Sequence, residues 1–165
     1  MKAPICGVCL NSDMLCMACK KKLDEGKITE CDIKVSRLIS KAAKTFRQLN
    51  EVTINKVIEG KNVVVVMCNK GDSSKLIGKE GVITKKLSRA AGKTVRIVEV
   101  SDDIKSFIQN LVHPVPVVGL NVLYHADREI LKVIIPRDRG IPIPQASFAE
   151  IVRIVFGKDS VIVNE

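Results

Sequence analysis

Aromatic residues are scarce in this chain of 165 residues: they make up 3% of it, with no Trp and a single Tyr, Tyr124. Modules that recognise nucleic acid by stacking bases on exposed rings need several such side chains. The composition therefore argues against RNP-motif sheets and many OB-folds. Any contact with nucleic acid is expected to use backbone amides, basic side chains and aliphatic grooves.

Long apolar runs are also missing. The sequence contains no run of about 18 apolar residues, which a membrane-spanning helix needs, and residues 1–6 lack the apolar stretch of a secretory signal. The hydrophobic content of 46% can still fill a modest core. We predict a globular, cytoplasmic protein with no membrane partner.

Positive charge is concentrated in the middle of the chain. Residues 33–100 carry fifteen Lys and Arg against five acids, whereas residues 1–32 carry five of each and residues 101–165 carry seven against eight. A basic excess of ten confined to one segment is typical of a protein that binds a polyphosphate. An anionic membrane would also attract this charge, but no amphipathic helix with aromatic anchors accompanies it.

Four of the six cysteines form two CxxC pairs near the start of the chain: Cys6, Cys9, Cys16 and Cys19. Two such pairs can direct four thiolates at one ion, so we predict a small, knuckle-like structural zinc module over residues 1–32. An iron–sulfur cluster and reactive thiols are the alternatives. Disulfides are disfavoured in the cytosol. Cys31 and Cys68 are expected to be buried small hydrophobic residues.

Residues 33–101 have the pattern of one small α+β domain. Apolar spacing, β-branched runs and glycines predict, in order, a helix over 34–49, strands Val52–Ile58 and Val63–Met67, a short helix through Ile77, a turn at Gly78–Gly81, a helix over Val82–Ala91 and a strand over Thr94–Val100. Asp72-Ser73-Ser74 is predicted to supply the N-cap of the short helix, and Gly92 is predicted to end the helix over Val82–Ala91.

Residues 102–165 repeat this order in weaker form. The predicted elements are a helix over Asp103–Val112, strands Val117–Tyr124 and Ile130–Ile135, a helix over Phe148–Phe156 and a strand over Ser160–Val163. In the intervening loop, Arg137–Gln145, one glycine and two prolines replace the two-glycine turn.

The order helix, strand, strand, helix, glycine turn, helix, strand resembles the type II KH fold. The segment Lys75–Ile83 strengthens the resemblance, since KH loops are typically preceded by an Ile-Gly step and followed by an aliphatic residue. The expected fold is therefore α+β, with two tandem type II KH domains over residues 33–101 and 102–165. The second domain is degenerate, and the zinc module precedes both.

The KH resemblance implies that the glycine turn binds RNA. Glycines let phosphates approach the backbone, and the amides at the start of the next helix hold about four nucleotides. Glu80 is unfavourable there unless it points away, and Ile83 is a further candidate for the groove that receives bases. The alternative is a simple turn between helices with a solvated basic face. The expected RNA-binding residues are Lys75, Ile77, Gly78, Lys79, Glu80, Gly81, Val82, Lys85, Lys86 and Arg89.

The pair of domains is similar to the archaeal relatives of the transcription factor NusA, which are short chains of two KH domains. The similarity lies in Leu76–Gly81, Ala91–Glu99 and Leu131–Pro136, and extends over residues 34–165. It implies binding of single-stranded RNA in transcription elongation or termination, or in another RNA-processing role, with RNA polymerase as a candidate partner. The polymerase-binding domain of the bacterial proteins has no counterpart here, so that contact does not carry over.

Two other functions stay open. Type II KH domains and four-cysteine modules also occur in ribosome-associated and ribosome-assembly proteins, whose partners are ribosome components. A protein-interaction adaptor is the third possibility. We predict no enzymatic activity: Gly92-Lys93-Thr94 imitates the end of a P-loop, but Leu87 stands where its first glycine is required, and the two histidines have no catalytic partners.

Overall fold

The computed structural model describes all 165 residues and has two three-stranded sheets with helices, which confirms the α+β class. The chain divides into two compact units. Met1–Glu59 and Val64–Val100 form the first, and Gly60–Val63 and Ser101–Glu165 form the second. No helix is both long enough and apolar enough to cross a membrane.

The elements up to residue 100 follow the predicted order, with two extra helices among the cysteines. They are α1 (Gly7–Leu10), α2 (Met17–Asp24), α3 (Glu30–Ala43), a 3-10 helix (Arg47–Glu51), β1 (Ile54–Glu59), β2 (Val63–Cys68), α4 (Ser73–Ile77), a 3-10 turn (Lys79–Gly81), α5 (Val82–Ala91) and β3 (Thr94–Glu99). The predicted bounds of α5 are confirmed. Gly92 ends that helix in the left-handed region, at φ +69°.

The first sheet has the order β1-β2-β3, and β1 runs antiparallel to β2 with Val57 opposite Val66. The four valines of β2, Val63–Val66, are at most 2% exposed. Because both faces of the strand are buried, its sequence is a continuous β-branched run rather than an alternation of apolar and polar residues. Ile39, Leu76 and Ile83, one from each of α3, α4 and α5, belong to the same core and are fully buried.

Helix α3 begins and ends earlier than predicted. It starts at Glu30 because Thr29 and Asp32 form a capping box: the Asp32 amide donates to Thr29 Oγ1 (3.1 Å) and the Thr29 amide donates to Asp32 Oδ2 (2.8 Å). The predicted continuation to residue 49 is wrong, since the α-helix stops at Ala43. Leu49 lies in the following 3-10 helix and is still fully buried, so the apolar spacing persists without the helix.

Asp32 is a buried carboxylate that joins α3 to the sheet. It is 2% exposed, and its Oδ1 accepts the Val57 amide at 2.6 Å. We expect Asp32→Ala to lower the free energy of unfolding by about 3 kcal/mol, because it removes the capping box and leaves a buried amide without an acceptor. Urea unfolding followed by circular dichroism measures the change. Asp24→Ala, at an exposed position, is the control and should cost less than about 0.5 kcal/mol; equal losses would contradict the assigned role.

The second unit confirms the predicted order of elements. They are α6 (Ile104–Val112), β4 (Gly119–His125), β5 (Arg128–Ile135), α7 (Gln145–Phe156) and β6 (Asp159–Asn164). β4 is antiparallel to β5 and β6 is parallel to β5, with Leu131 beside Ser160. Phe107 packs edge-on against Phe156, with ring centroids 5.1 Å apart. No helix lies between β5 and α7, and Gly140 does not have a positive φ, so this unit has no glycine turn like that of the first.

Candidate functional site

The Gly78–Gly81 turn joins α4 to α5, and three of its four residues have a positive φ. Gly78 has φ +73° and ψ 170°, Gly81 has φ +72°, and Glu80 between them has φ +56°. The φ and ψ of Gly78 are accessible essentially to glycine alone. A non-glycine residue with positive φ is uncommon, which makes Glu80 the unusual member of the turn.

The two glycines are needed for different reasons. A Cβ on Gly78 would lie 2.7 Å from Ile83 Cγ1, and Ile83 is fully buried. A Cβ on Gly81 would meet only Thr84 Oγ1, at 3.4 Å, whose hydroxyl donates to the Gly81 carbonyl at 2.9 Å. Gly78 is thus fixed by both packing and dihedral angles, whereas Gly81 is fixed by its dihedral angles.

The start of α5 is open. Gly81 is its N-cap residue and no side chain caps the helix. An uncapped N-terminus carries partial positive charge and amides without intrahelical partners, which suits an anion. Here the Gly81 and Val82 amides already donate to the carbonyls of Gly78 and Lys79, so the amides after Val82 are the ones available. Ile77 and Val82, on either side of the turn, are 38% and 49% exposed, while Ile83 lies in the core. The turn therefore presents amides next to exposed aliphatic side chains, and Ile83 does not line the surface.

Three of the predicted phosphate-contacting cations are available. Lys79, Lys85 and Arg89 are exposed and take part in no ion pair. Lys85 and Arg89 are four residues apart on α5, so they lie on one face of the helix. Together with Lys79 they place unpaired positive charge on the turn and along the helix that follows it.

The other two cations already have partners. Lys75 Nζ lies 3.2 Å from Glu51 Oε2 and 3.7 Å from Asp72 Oδ1. Lys86 Nζ lies 5.4 Å from the centroid of the Phe46 ring, a cation–π contact. A phosphate would have to compete with these contacts, so Lys75 and Lys86 are less available than the remaining three.

Helix α4 is positioned by side chains that the sequence did not identify. Glu99, at the end of β3, accepts the Ser73 hydroxyl at 2.6 Å and the Gly71 amide at 2.9 Å, and these bonds lower the pKa of its carboxyl. Asp72 is the N-cap residue of α4, as predicted, but its side chain makes no capping hydrogen bond. That carboxylate instead accepts the Thr53 amide at 2.8 Å, which fixes the loop before α4 against the start of β1.

The four clustered cysteines form a second candidate site. Their sulfur atoms all lie within 4.8 Å of one another; Cys6 Sγ is 3.5 Å from Cys9 Sγ and 3.8 Å from Cys16 Sγ. A tetrahedral four-thiolate site with metal–sulfur bonds of about 2.3 Å places its sulfurs about 3.8 Å apart. None of the six cysteines is in a disulfide. The arrangement can therefore hold one metal ion.

The two CxxC pairs are arranged reciprocally. Cys6 and Cys16 are exposed and directly precede α1 and α2, whereas Cys9 and Cys19 are buried. The Cys6 amide donates to Cys19 Sγ (3.4 Å), and the Cys16 amide donates to Cys9 Sγ (3.1 Å). Such hydrogen bonds from backbone amides orient sulfur ligands and stabilise their charge.

Without a cation, the four thiols of the cluster differ in pKa. The Cys9 amide lowers the pKa of Cys6 to about 6, and the Cys19 amide lowers the pKa of Cys16. Hydrogen bonds from the Cys16 and Cys6 amides also lower the pKa of Cys9 and Cys19, but burial and neighbouring thiols raise it by more. The pKa of Cys9 rises to about 12 and that of Cys19 also rises. Four adjacent thiolates thus require a cation, and a metal ion supplies it.

Arg37 attaches the cysteine segment to α3. Its Nε donates to the Cys9 carbonyl at 3.0 Å and its Nη2 to the Met14 carbonyl at 3.4 Å. Arg37 and Cys9 are 28 residues apart, so no local sequence pattern indicates this contact.

Comparison with known proteins adds a fold relationship. No family model and no curated protein matches the chain. Among solved structures, the chain is similar to one described as "Crystal structure of APE1850", with a TM-score of 0.54 and 22% identity, over 76% of this chain and 96% of that one. At this identity the similarity shows a shared fold alone.

Proposed function

We propose that this protein binds single-stranded RNA and holds its sugar–phosphate backbone at the Gly78–Gly81 turn. The observation that carries the proposal is the conjunction of left-handed glycines with the uncapped start of α5. In this arrangement, phosphates approach the turn and accept from the amides that follow Val82 in the first turn of α5, since the Gly81 and Val82 amides donate to carbonyls within the glycine turn. The exposed side chains of Ile77 and Val82 provide an aliphatic surface for the bases, as the scarcity of aromatic residues requires.

Electrostatics supplies much of the affinity in this proposal. Lys79 contacts a phosphate at the turn, and Lys85 and Arg89 continue the positive track along α5. Each neutralised phosphate releases counterions, so binding should weaken with salt. Glu80 is exposed in the middle of the turn and opposes this attraction unless its carboxylate points into solvent.

The two units support the interpretation as tandem type II KH domains, with a fold order that matches the predicted one. The second unit has the order helix, strand, strand, helix, strand from α6 to β6, with no counterpart of α4 and no two-glycine turn. We infer that RNA is held chiefly by the first unit, and that the second unit modifies specificity or recruits a partner.

For the cysteine cluster we propose one structural zinc ion. The donor set is four sulfurs, Cys6, Cys9, Cys16 and Cys19, with spacing that suits a tetrahedral ion. All four positions are taken by protein ligands, so the ion would have no open position for substrate or water. Its contribution is folding free energy for a segment with a small core.

The cellular role that we propose is in transcription elongation or termination, by similarity to the NusA-like proteins. Crosslinking in cells followed by sequencing of the bound RNA tests this role. Enrichment of nascent transcripts is the expected result. Predominantly ribosomal RNA would instead favour a function in ribosome assembly, and no enrichment would favour a protein adaptor.

The RNA-binding proposal predicts a large effect of changing the middle of the turn. In the double variant Lys79→Asp, Glu80→Asp we expect affinity for a single-stranded oligonucleotide to fall about tenfold or more, with a salt dependence reduced by about one released counterion. Fluorescence anisotropy at several salt concentrations measures both.

The matched control is Lys20→Asp, which makes the same change in net charge at an exposed position on α2. The RNA affinity of the Lys20→Asp variant should stay close to that of the unmodified protein. If the folded double variant bound RNA with unchanged affinity and salt dependence, the turn would not be the RNA site.

A further inference from the structure

A groove of about 430 Å³ runs between the cysteine segment and α3. Leu15, between the two CxxC pairs, and Leu23, on α2, line one side, while Ile33 and Leu38 of α3 line the other. Its volume and its mainly aliphatic lining are typical of a binding site. It shares no residue with the proposed RNA-binding surface.

The rim of the groove is positively charged along α3. Lys34, Arg37 and Lys41 follow one another at i, i+3 and i+7, so they form a stripe on one face of the helix, about 10 Å long at 1.5 Å per residue. Lys34 and Lys41 are exposed and take part in no ion pair. Asp13 and Glu30 are the acids among the lining residues, which leaves a net positive rim.

We propose that this groove binds an acidic amphipathic helix of a partner protein. An aliphatic floor accepts leucine-like side chains at helical spacing, and the cations of α3 face acidic residues that flank them. RNA is a poorer fit, because no glycine lines the groove and the start of α3 is closed by its capping box.

The groove exists only if the cysteine segment is folded. Leu15 and Leu23 belong to that segment, and Arg37 holds it against α3 through the Cys9 and Met14 carbonyls. Binding of the acidic helix should therefore be lost when the metal is removed. The proposal does not depend on RNA binding, which uses a different surface.

The probe is a synthetic amphipathic helical peptide with leucines at i, i+3, i+4 and i+7 flanked by glutamates. Titration into the ¹⁵N-labelled, metal-loaded full chain should shift the amides of residues 13–23 and 30–41, and leave those of 78–89 unchanged. The double variant Lys34→Glu, Lys41→Glu should bind it about tenfold more weakly. Lys44→Glu, at an exposed position of the same segment outside the groove, should retain binding.

Three results would overturn the proposal. In the first, the peptide binds no more tightly than a version in which lysines replace the glutamates. In the second, Lys44→Glu weakens binding as much as the double variant does. In the third, a single-stranded RNA oligonucleotide shifts residues 30–41 while the peptide does not, which would assign the groove to nucleic acid. Amide spectra of each variant show directly whether the fold is retained.

Discussion

Replacing Cys9 with Ser should abolish metal binding and unfold α1 and α2. Cys9 is fully buried, and its sulfur accepts the Cys16 amide, so a serine hydroxyl cannot replace it as a ligand or as a packed group. The apparent binding free energy of a structural zinc ion is about 10–16 kcal/mol in small metal-dependent modules. The few apolar residues that accompany it, including Ile5, Leu10 and Ile28, form a cluster too small to fold alone.

Elemental analysis of protein purified without added zinc measures the metal, and amide spectra measure the helices. We expect one zinc per original chain and none in the variant. Cys68→Ser is the matched control, because Cys68 is equally buried but lies outside the cluster; it should keep its metal despite some loss of stability. A variant that retained both metal and helices would contradict the proposed site, and iron in place of zinc would indicate a cluster.

Local signals account for what the sequence predicted well. Helix α5 has an apolar period that begins just after one left-handed glycine and ends just before another, Gly92, so both ends are specified within a few residues. The CxxC spacing likewise identifies the four sulfurs that lie together in the structure. Such features depend on neighbours in sequence, which is why composition and spacing suffice to predict them.

The features that sequence reasoning missed depend on long-range contacts or on a weaker local signal. The partners of Lys75 include Glu51, 24 residues away, and no spacing rule indicates that pair. Helix α1 has only four residues and follows the cysteine turn rather than an apolar period. Helix α3 starts at Glu30, before the predicted residue 34, because the capping box of Thr29 and Asp32 rather than the apolar periodicity sets its first residue.

Gly78→Ala should be the most damaging single methyl addition at the glycine turn. At φ +73° and ψ 170° any L side chain is strained, and the new Cβ would lie 2.7 Å from Ile83 Cγ1. We expect the free energy of unfolding to fall by about 3 kcal/mol, of which about 1–3 kcal/mol is backbone strain. RNA affinity should fall as well, because relief of the overlap moves the turn away from the start of α5.

Two further variants separate the steric cause from the dihedral one. Gly92→Ala places a methyl group at φ +69° with no heavy atom within 4 Å, so it should cost about 1 kcal/mol and leave RNA binding unchanged. Adding Ile83→Ala to Gly78→Ala removes the overlapping carbon, and the pair should cost less than the sum of the single changes. Additive costs, or equal costs at Gly78 and Gly92, would show that close packing on Ile83 does not set the shape of the turn.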